Sequence, residues 1–328
     1  MISKGLRIAS LAILAAGIAY VEQVAAQAYP TKPVHIIVPY APGGSVDVTA
    51  RSIGPQVAES LGQPVVVENR PGASSIIGMQ ACAKAEPDGH TLCMTVADAL
   101  SLNPHLIKNL PYDPDADFAP VIYLVRGQSL LLAKRDAPFN TFKEMIAYAK
   151  SHPGALNWAT WGAASVPEVY LLWIRRQAGI DITAVAYKGS GPSVAALLAG
   201  ESDITYMLIG TVLPHVRAGR LKPLAIVGNQ RSSLLPDTPS LVEEGYDPGL
   251  RSYFGLFAPA KTPKPIIDRL NADFAKAMQS ARFQEFARSQ TVDVVGGSPA
   301  EFAEFLKNDR ANAGRVFKAI GLRPGDAP

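Results

Sequence analysis

The sequence predicts an α/β fold divided between two domains, on three observations. Short apolar, β-branched runs alternate along the chain with amphipathic stretches of helical spacing, which argues for layered helices and mainly parallel sheets. Strand after strand ends in a glycine-rich or polar turn that opens a helix. The chain is 328 residues long and 48% hydrophobic, more than one core usually organises.

The elements follow in order. Val34 to Val38 is an apolar run of the kind covered on both faces, so it reads as a central strand. From Ser45 the spacing changes, with Val46, Ala50, Ile53, Val57 and Leu61 recurring at helical intervals. Ser45 is the expected N-cap, and Asp47 falls in the first turn. Val65 to Glu68 is a second strand, turning through Asn69–Ser75 into a helix over Ile76–Ala85. Thr91 to Val96 is a third strand, ending in a polar turn around Asp98 and Ser101. Leu130 to Ala133 is a strand and Phe142 to Ser151 an amphipathic helix. Leu156 to Thr160 leads through Trp161–Ser165 into a helix near Pro167. Thr183 to Tyr187 leads through Lys188–Pro192 into a helix over Ser193–Ala199. Asp203 to Leu208, Leu224 to Val227 and Tyr253 to Ala258 are further strands. Helices over Pro265–Ser280, Phe283–Gln290 and Pro299–Ala319 end the chain.

At the N-terminus Lys4 and Arg7 precede an apolar run from Ile8 to Tyr20, and Ala26-Gln27-Ala28 supplies a small-x-small cleavage site. Residues 1–28 therefore read as a signal peptide, with the mature chain starting at Tyr29 and residing most simply in a periplasm. The formal charge is only +3 and no basic tract occurs, so nucleic acid and anionic membrane are poor partners. Cys82 and Cys93 are the only cysteines. A helix returning as a strand through Pro87-Asp88-Gly89 can set them side by side for a disulfide; the alternative is two small buried thiols. Two cysteines and scattered histidines do not make a metal site, and no metal or cofactor is expected.

The turn after the first strand carries the most chemistry. Gly43 and Gly44 have no Cβ, so an anion can approach their backbone closely. The helix behind them aims unpaired N–H groups and the positive end of its dipole at the same point. Pro-Gly-Gly also turns corners in ordinary βα units, and Asp47 on its own is more often a dipole partner than a ligand contact. Similar turns end strands in both halves, so two facing domains would line a cleft with helix N-termini suited to a small anion.

Across nearly the whole chain the motifs resemble one family, the Bug-type solute-binding receptors of tripartite tricarboxylate transporters. The matching stretches include Tyr29–Pro33, Val38–Gly44 with Asp47, Leu61–Ala73, Pro87–Leu92, Leu110–Pro114, Asp117–Pro120, Tyr187–Gly189, Leu213–His215 and Phe254–Ala260. The resemblance implies a type II periplasmic-binding-protein fold, with residues 29–124 and 253–328 forming one lobe and 125–252 the other. It implies a cleft that closes on a carboxylate held by backbone N–H groups and water, with hinges near Ile122–Val125 and Arg251–Phe254. The partners it implies are a small organic carboxylate and the transporter's membrane subunits, the receptor itself being a monomer.

Candidate ligand contacts from the first lobe are Tyr40, Pro42, Gly43, Gly44, Ser45, Asp47, Ser74 and Asp98. From the second lobe they are Thr160, Trp161, Gly162, Ala163, Ala164, Ser165, Lys188, Tyr206 and Met207. Trp161, Ala163, Ala164 and Glu168 stand where the family is usually more polar, and Met207 where it often has an aspartate. These departures favour an aromatic or otherwise apolar carboxylate over an aliphatic tricarboxylate such as citrate. Against that, Trp158, Trp161, Trp173 and Tyr206 read equally as core residues. Glu168 reads as a surface first-turn glutamate, or else as a partner for a cationic ligand group. A ligand-presenting receptor for a sensor kinase fits the same fold. A secreted carboxylate-processing enzyme is the remaining reading, and no Gly-x-Ser-x-Gly elbow supports it.

Overall fold

The computed structural model describes residues 29–162 and 165–323. The leader at 1–28, the candidate contacts Ala163 and Ala164, and residues 324–328 lie outside the described residues.

Eleven strands build two sheets: β1 (Val34–Val38), β2 (Val65–Asn69), β3 (Thr91–Thr95), β4 (Phe118–Gly127), β5 (Ser129–Lys134), β6 (Asn157–Thr160), β7 (Thr183–Ala186), β8 (Ile204–Leu208), β9 (Leu221–Val227), β10 (Tyr253–Pro259) and β11 (Val292–Gly296). The first sheet runs β11-β4-β10-β3-β1-β2 and the second β7-β6-β8-β5-β9. The two share a plan. Three parallel strands, β2-β1-β3 or β7-β6-β8, are followed by an antiparallel strand, β10 or β5, and then by β4 or β9.

The sheets are therefore mixed rather than mainly parallel. β10 and β5 are the strands that carry the chain across from the other sheet, so each enters from the opposite end. β4 passes into β5 through Gln128 alone, and Gln128 is anchored by its carbonyl, which accepts from Ile209 N–H at 3.0 Å.

Three local readings change. The helix after β7 begins at Ser190 rather than Ser193, because Pro192 needs no N–H partner in a first turn. A helix at Ile209–Arg217 tolerates Pro214 near its end. β11 is a half-exposed edge strand added antiparallel to β4.

Each sheet is packed by helices into a dense core. Val34, Ile36 and Val38 of β1 are fully buried, as the apolar run demands. In the second lobe Trp158 and Tyr170 are fully buried. Cys82 and Cys93 form a disulfide with Cα atoms 6.0 Å apart, pinning the helix Ile76–Ala83 to β3.

Candidate functional site

The site begins where β1 ends. Gly43 sits at φ +79°, in the left-handed region that glycine enters without strain. Gly44, not Ser45, is the N-cap of the helix Ser45–Leu61, at φ −78° and ψ 166°. Asp47 reaches back from the first turn: its carboxylate accepts from Gly43 N–H, Arg51 Nε and Asn69 Nδ2, each at 2.9 Å. Burial alone would raise its pKa, but these donors hold it below the ordinary carboxylate range. Asp47 thus fixes the shape of the turn. Among the described residues, none accepts from the N–H of Val46 or Asp47, so the helix N-terminus keeps donors to offer.

The second lobe meets this turn directly. Ala41 N–H donates to the Lys188 carbonyl at 2.8 Å, and Ser45 N–H to Ser190 Oγ at 3.1 Å. The hydroxyls of Ser45 and Thr211 lie 3.2 Å apart. A Cβ placed on Gly44 would fall 2.9 Å from Ser190 Oγ and 3.6 Å from Gly191 N. The N-termini of the helices Ser45–Leu61 and Ser190–Ala199, one from each lobe, therefore converge on one spot.

Beside that spot lies a small cavity of about 40 Å³. Tyr40, Gly44, Ser45, Trp161, Tyr206 and Met207 line it, together with Val46, Val96, Ser190, Leu208, Ser252 and Phe254. The first six are among the sequence-derived contacts; the second six are not. None of the twelve carries a formal charge. The rings of Trp161 and Tyr206 meet edge to face, with centroids 6.2 Å apart. The Tyr206 hydroxyl pairs with Ser252 Oγ at 2.9 Å, and burial pushes its pKa up to about 12.

The other expected contacts stand in or behind the walls. Pro42 and Gly43 are exposed at the turn, as is the Lys188 side chain. Ser74 abuts Gly162, where an added Cβ would come within 2.5 Å of its Oγ. Thr160 Oγ1 accepts from Gly162 N–H at 3.4 Å, and Ser165 is buried at the start of the helix Val166–Ala178. Asp98 is 2% exposed and bridges the lobes. Its Oδ1 accepts from Val166 N–H at 2.9 Å and its Oδ2 from the Trp161 indole N–H. Burial outweighs these donors and raises its pKa to about 7.

Glu168 is not a surface residue. It is 8% exposed, burial raises its pKa, and its partner is the Thr160 side chain.

Among the described residues no group of three or more His, Cys, Asp or Glu side chains could hold a metal ion, and no helix is long and apolar enough to cross a membrane.

Residues 49–322 match the family model described as the tripartite tricarboxylate transporter family receptor. BugT of Bordetella pertussis is 33% identical over 320 residues, covering 97% of this chain and 98% of BugT. The solved structure of MatC from Rhodopseudomonas palustris, with bound malate, is similar at TM-score 0.83 and 32% identity, covering 88% of this chain and 99% of MatC. An R. palustris protein solved with adipate is similar at TM-score 0.84 and 30% identity, covering 90% of this chain and 99% of its own. The architecture is the two-lobed periplasmic-binding-protein fold. From its strand plan to its matched length, the chain belongs to the receptor family of the tripartite tricarboxylate transporters, a family of solute-binding proteins.

Proposed function

We propose that this receptor works in a periplasm, captures a small carboxylate by closure of its two lobes, and delivers it to the membrane subunits of a tripartite tricarboxylate transporter. The observation that carries this reading is the convergence of two helix N-termini, at Ser45 and Ser190, on the edge of an uncharged cavity. Helix dipoles and unpaired N–H groups supply positive potential there, and none of the residues lining the cavity is cationic. The malate and adipate bound by its relatives extend the carboxylate reading to this chain.

Closure requires that the ligand bind the closed form better than the open one. In the proposed division, residues 29–124 and 253–328 form the first lobe and 125–252 the second, with hinges at Ile122–Val125 and Arg251–Phe254. The ligand's carboxylate would then bridge the free N–H groups of Val46 and Asp47 in the first lobe to Ser190 of the second. Each such charge-assisted hydrogen bond contributes about 1.5–3 kcal/mol, available only when the lobes meet. Trp161, Tyr206 and Met207 would contact the body of the ligand, which favours an apolar chain or ring. The receptor would act as a monomer.

A thermal-shift panel on ligand-stripped mature protein tests this, using malate, adipate, citrate, benzoate and terephthalate. A ligand at about a hundred times its Kd adds roughly 2.7 kcal/mol, enough to raise Tm by a few degrees. The expected result is a shift with one or more of these acids and no chemical turnover. Silence across the panel would overturn the carboxylate reading.

A further inference from the structure

We infer that this receptor selects a carboxylate with a single acidic group on an apolar body, and that Asp98 is the residue that sets this choice. The inference rests on the carboxylate reading above and narrows it.

Two helix N-termini, at Ser45 and Ser190, meet in the wall of the cavity, where Thr211 from the first turn of Ile209–Arg217 also reaches Ser45, and a third lies beyond Trp161. Those at Ser45 and Ser190 are not independent: Ser45 N–H donates to Ser190 Oγ, and Gly191 packs against Gly43 and Gly44. Together they make one anion position in the wall of the cavity. The third, at Val166, begins the helix that follows Trp161. A second acidic group on the ligand would need a counterpart there. That position is already filled from within the chain, because Asp98 accepts from the Val166 N–H and from the Trp161 indole.

Asp98 therefore does two things to the cavity wall at Trp161. It consumes the donors, since the only indole lining the cavity is turned onto Asp98. It also places a carboxylate behind the wall: Tyr40 and Tyr206, which both line the cavity, lie close enough to feel its charge. The rest of the lining is Val96, Phe254, Met207 and Leu208, with the Tyr206–Ser252 hydroxyl pair already bonded to itself. A second carboxylate brought here would be buried with few donors and would face a like charge, a costly arrangement. An alkyl chain or ring would meet surface that suits it.

The test compares acids matched in carbon skeleton, by titration calorimetry at pH 8 on the ligand-stripped mature protein. Hexanoate is set against adipate, and benzoate against terephthalate. The expected result is that the monoacid of at least one pair binds about tenfold or more tightly than its diacid. Asp98→Ser, which frees the Val166 N–H and removes the charge, should narrow that ratio by about tenfold. Because this variant removes a bridge between the lobes, the wild-type comparison stands by itself if the variant folds poorly. A wild-type protein that prefers the diacid in both pairs would overturn the inference while leaving the carboxylate reading intact. Failure of all four acids to bind would overturn both.

Discussion

Trp161 and Asp98 belong to different lobes, and the indole N–H of the one donates to the carboxylate of the other. The segment Asp98–Leu102 after β3 is helical rather than a polar turn, and its first residue, a buried acid, caps a helix of the opposite lobe by accepting from Val166 N–H at 2.9 Å. The contact ties the wall of the cavity to the opposite sheet, since Trp161 itself lines that cavity.

Removing the indole donor isolates this link. Trp161→Phe keeps an aromatic face but leaves Asp98 with a missing partner, and should lower stability by about 1–3 kcal/mol in urea unfolding. If the two residues act as a pair, adding Asp98→Ser to Trp161→Phe should cost much less than the sum of the single changes. Additive effects would show that they are not coupled.

Asp98 also gives stability a characteristic dependence on pH. Its pKa is raised from 3.8 to about 7 by burial, so between those values the folded chain holds a proton that the unfolded chain has released. Its contribution is therefore greatest below the unfolded value, declines as pH rises from about 4 to about 7, and is level above that. Unfolding free energies measured from pH 4 to pH 8 should show this decline in the wild type relative to Asp98→Asn. A constant difference across the range would contradict it.

Gly44 tests the approach of the lobes. Its φ of −78° suits any residue, so Gly44→Ala should fold normally. The new Cβ would stand 2.9 Å from Ser190 Oγ, tighter than real contacts allow. Affinity for a bound carboxylate should fall by about tenfold, while Tm without ligand changes little. An unchanged affinity would mean that the lobes need not meet at this point.

The Cys82–Cys93 disulfide closes a short loop across a separation of 11 residues. Replacing both cysteines by alanine should lower stability by about 2–4 kcal/mol in denaturant unfolding, with ligand affinity nearly unchanged because neither residue lines the cavity. A large loss of affinity would tie the helix Ile76–Ala83 to the site.

Much of this was legible in the residues because it is local. The apolar run of β1, the Pro42-Gly43-Gly44 turn and the helix behind it follow from spacing and from glycine's freedom at φ > 0. The cap was misplaced by one residue because Ser45 is the better side-chain cap by type, whereas its hydroxyl is drawn to Thr211 of the other lobe. Ser190 does not stand out in the sequence because Pro192 hides a helix start two residues before it. Ser252 and Phe254 are not readable locally: they reach the cavity at the start of β10, whose pairing of Gly255 with Thr95 joins distant parts of the chain. Glu168 looked exposed from its first-turn position, and only the packing of Thr160 beneath it shows otherwise.

The most direct test of the central claim compares a bound carboxylate with its own primary amide. Helix N-termini at Ser45 and Ser190 should discriminate by charge, since shape and apolar contact are nearly the same in the two molecules. Calorimetric titration of the ligand-stripped mature protein should give binding of the acid and a loss of at least about a hundredfold for the amide. Equal affinity for the two would contradict an anion site at this turn.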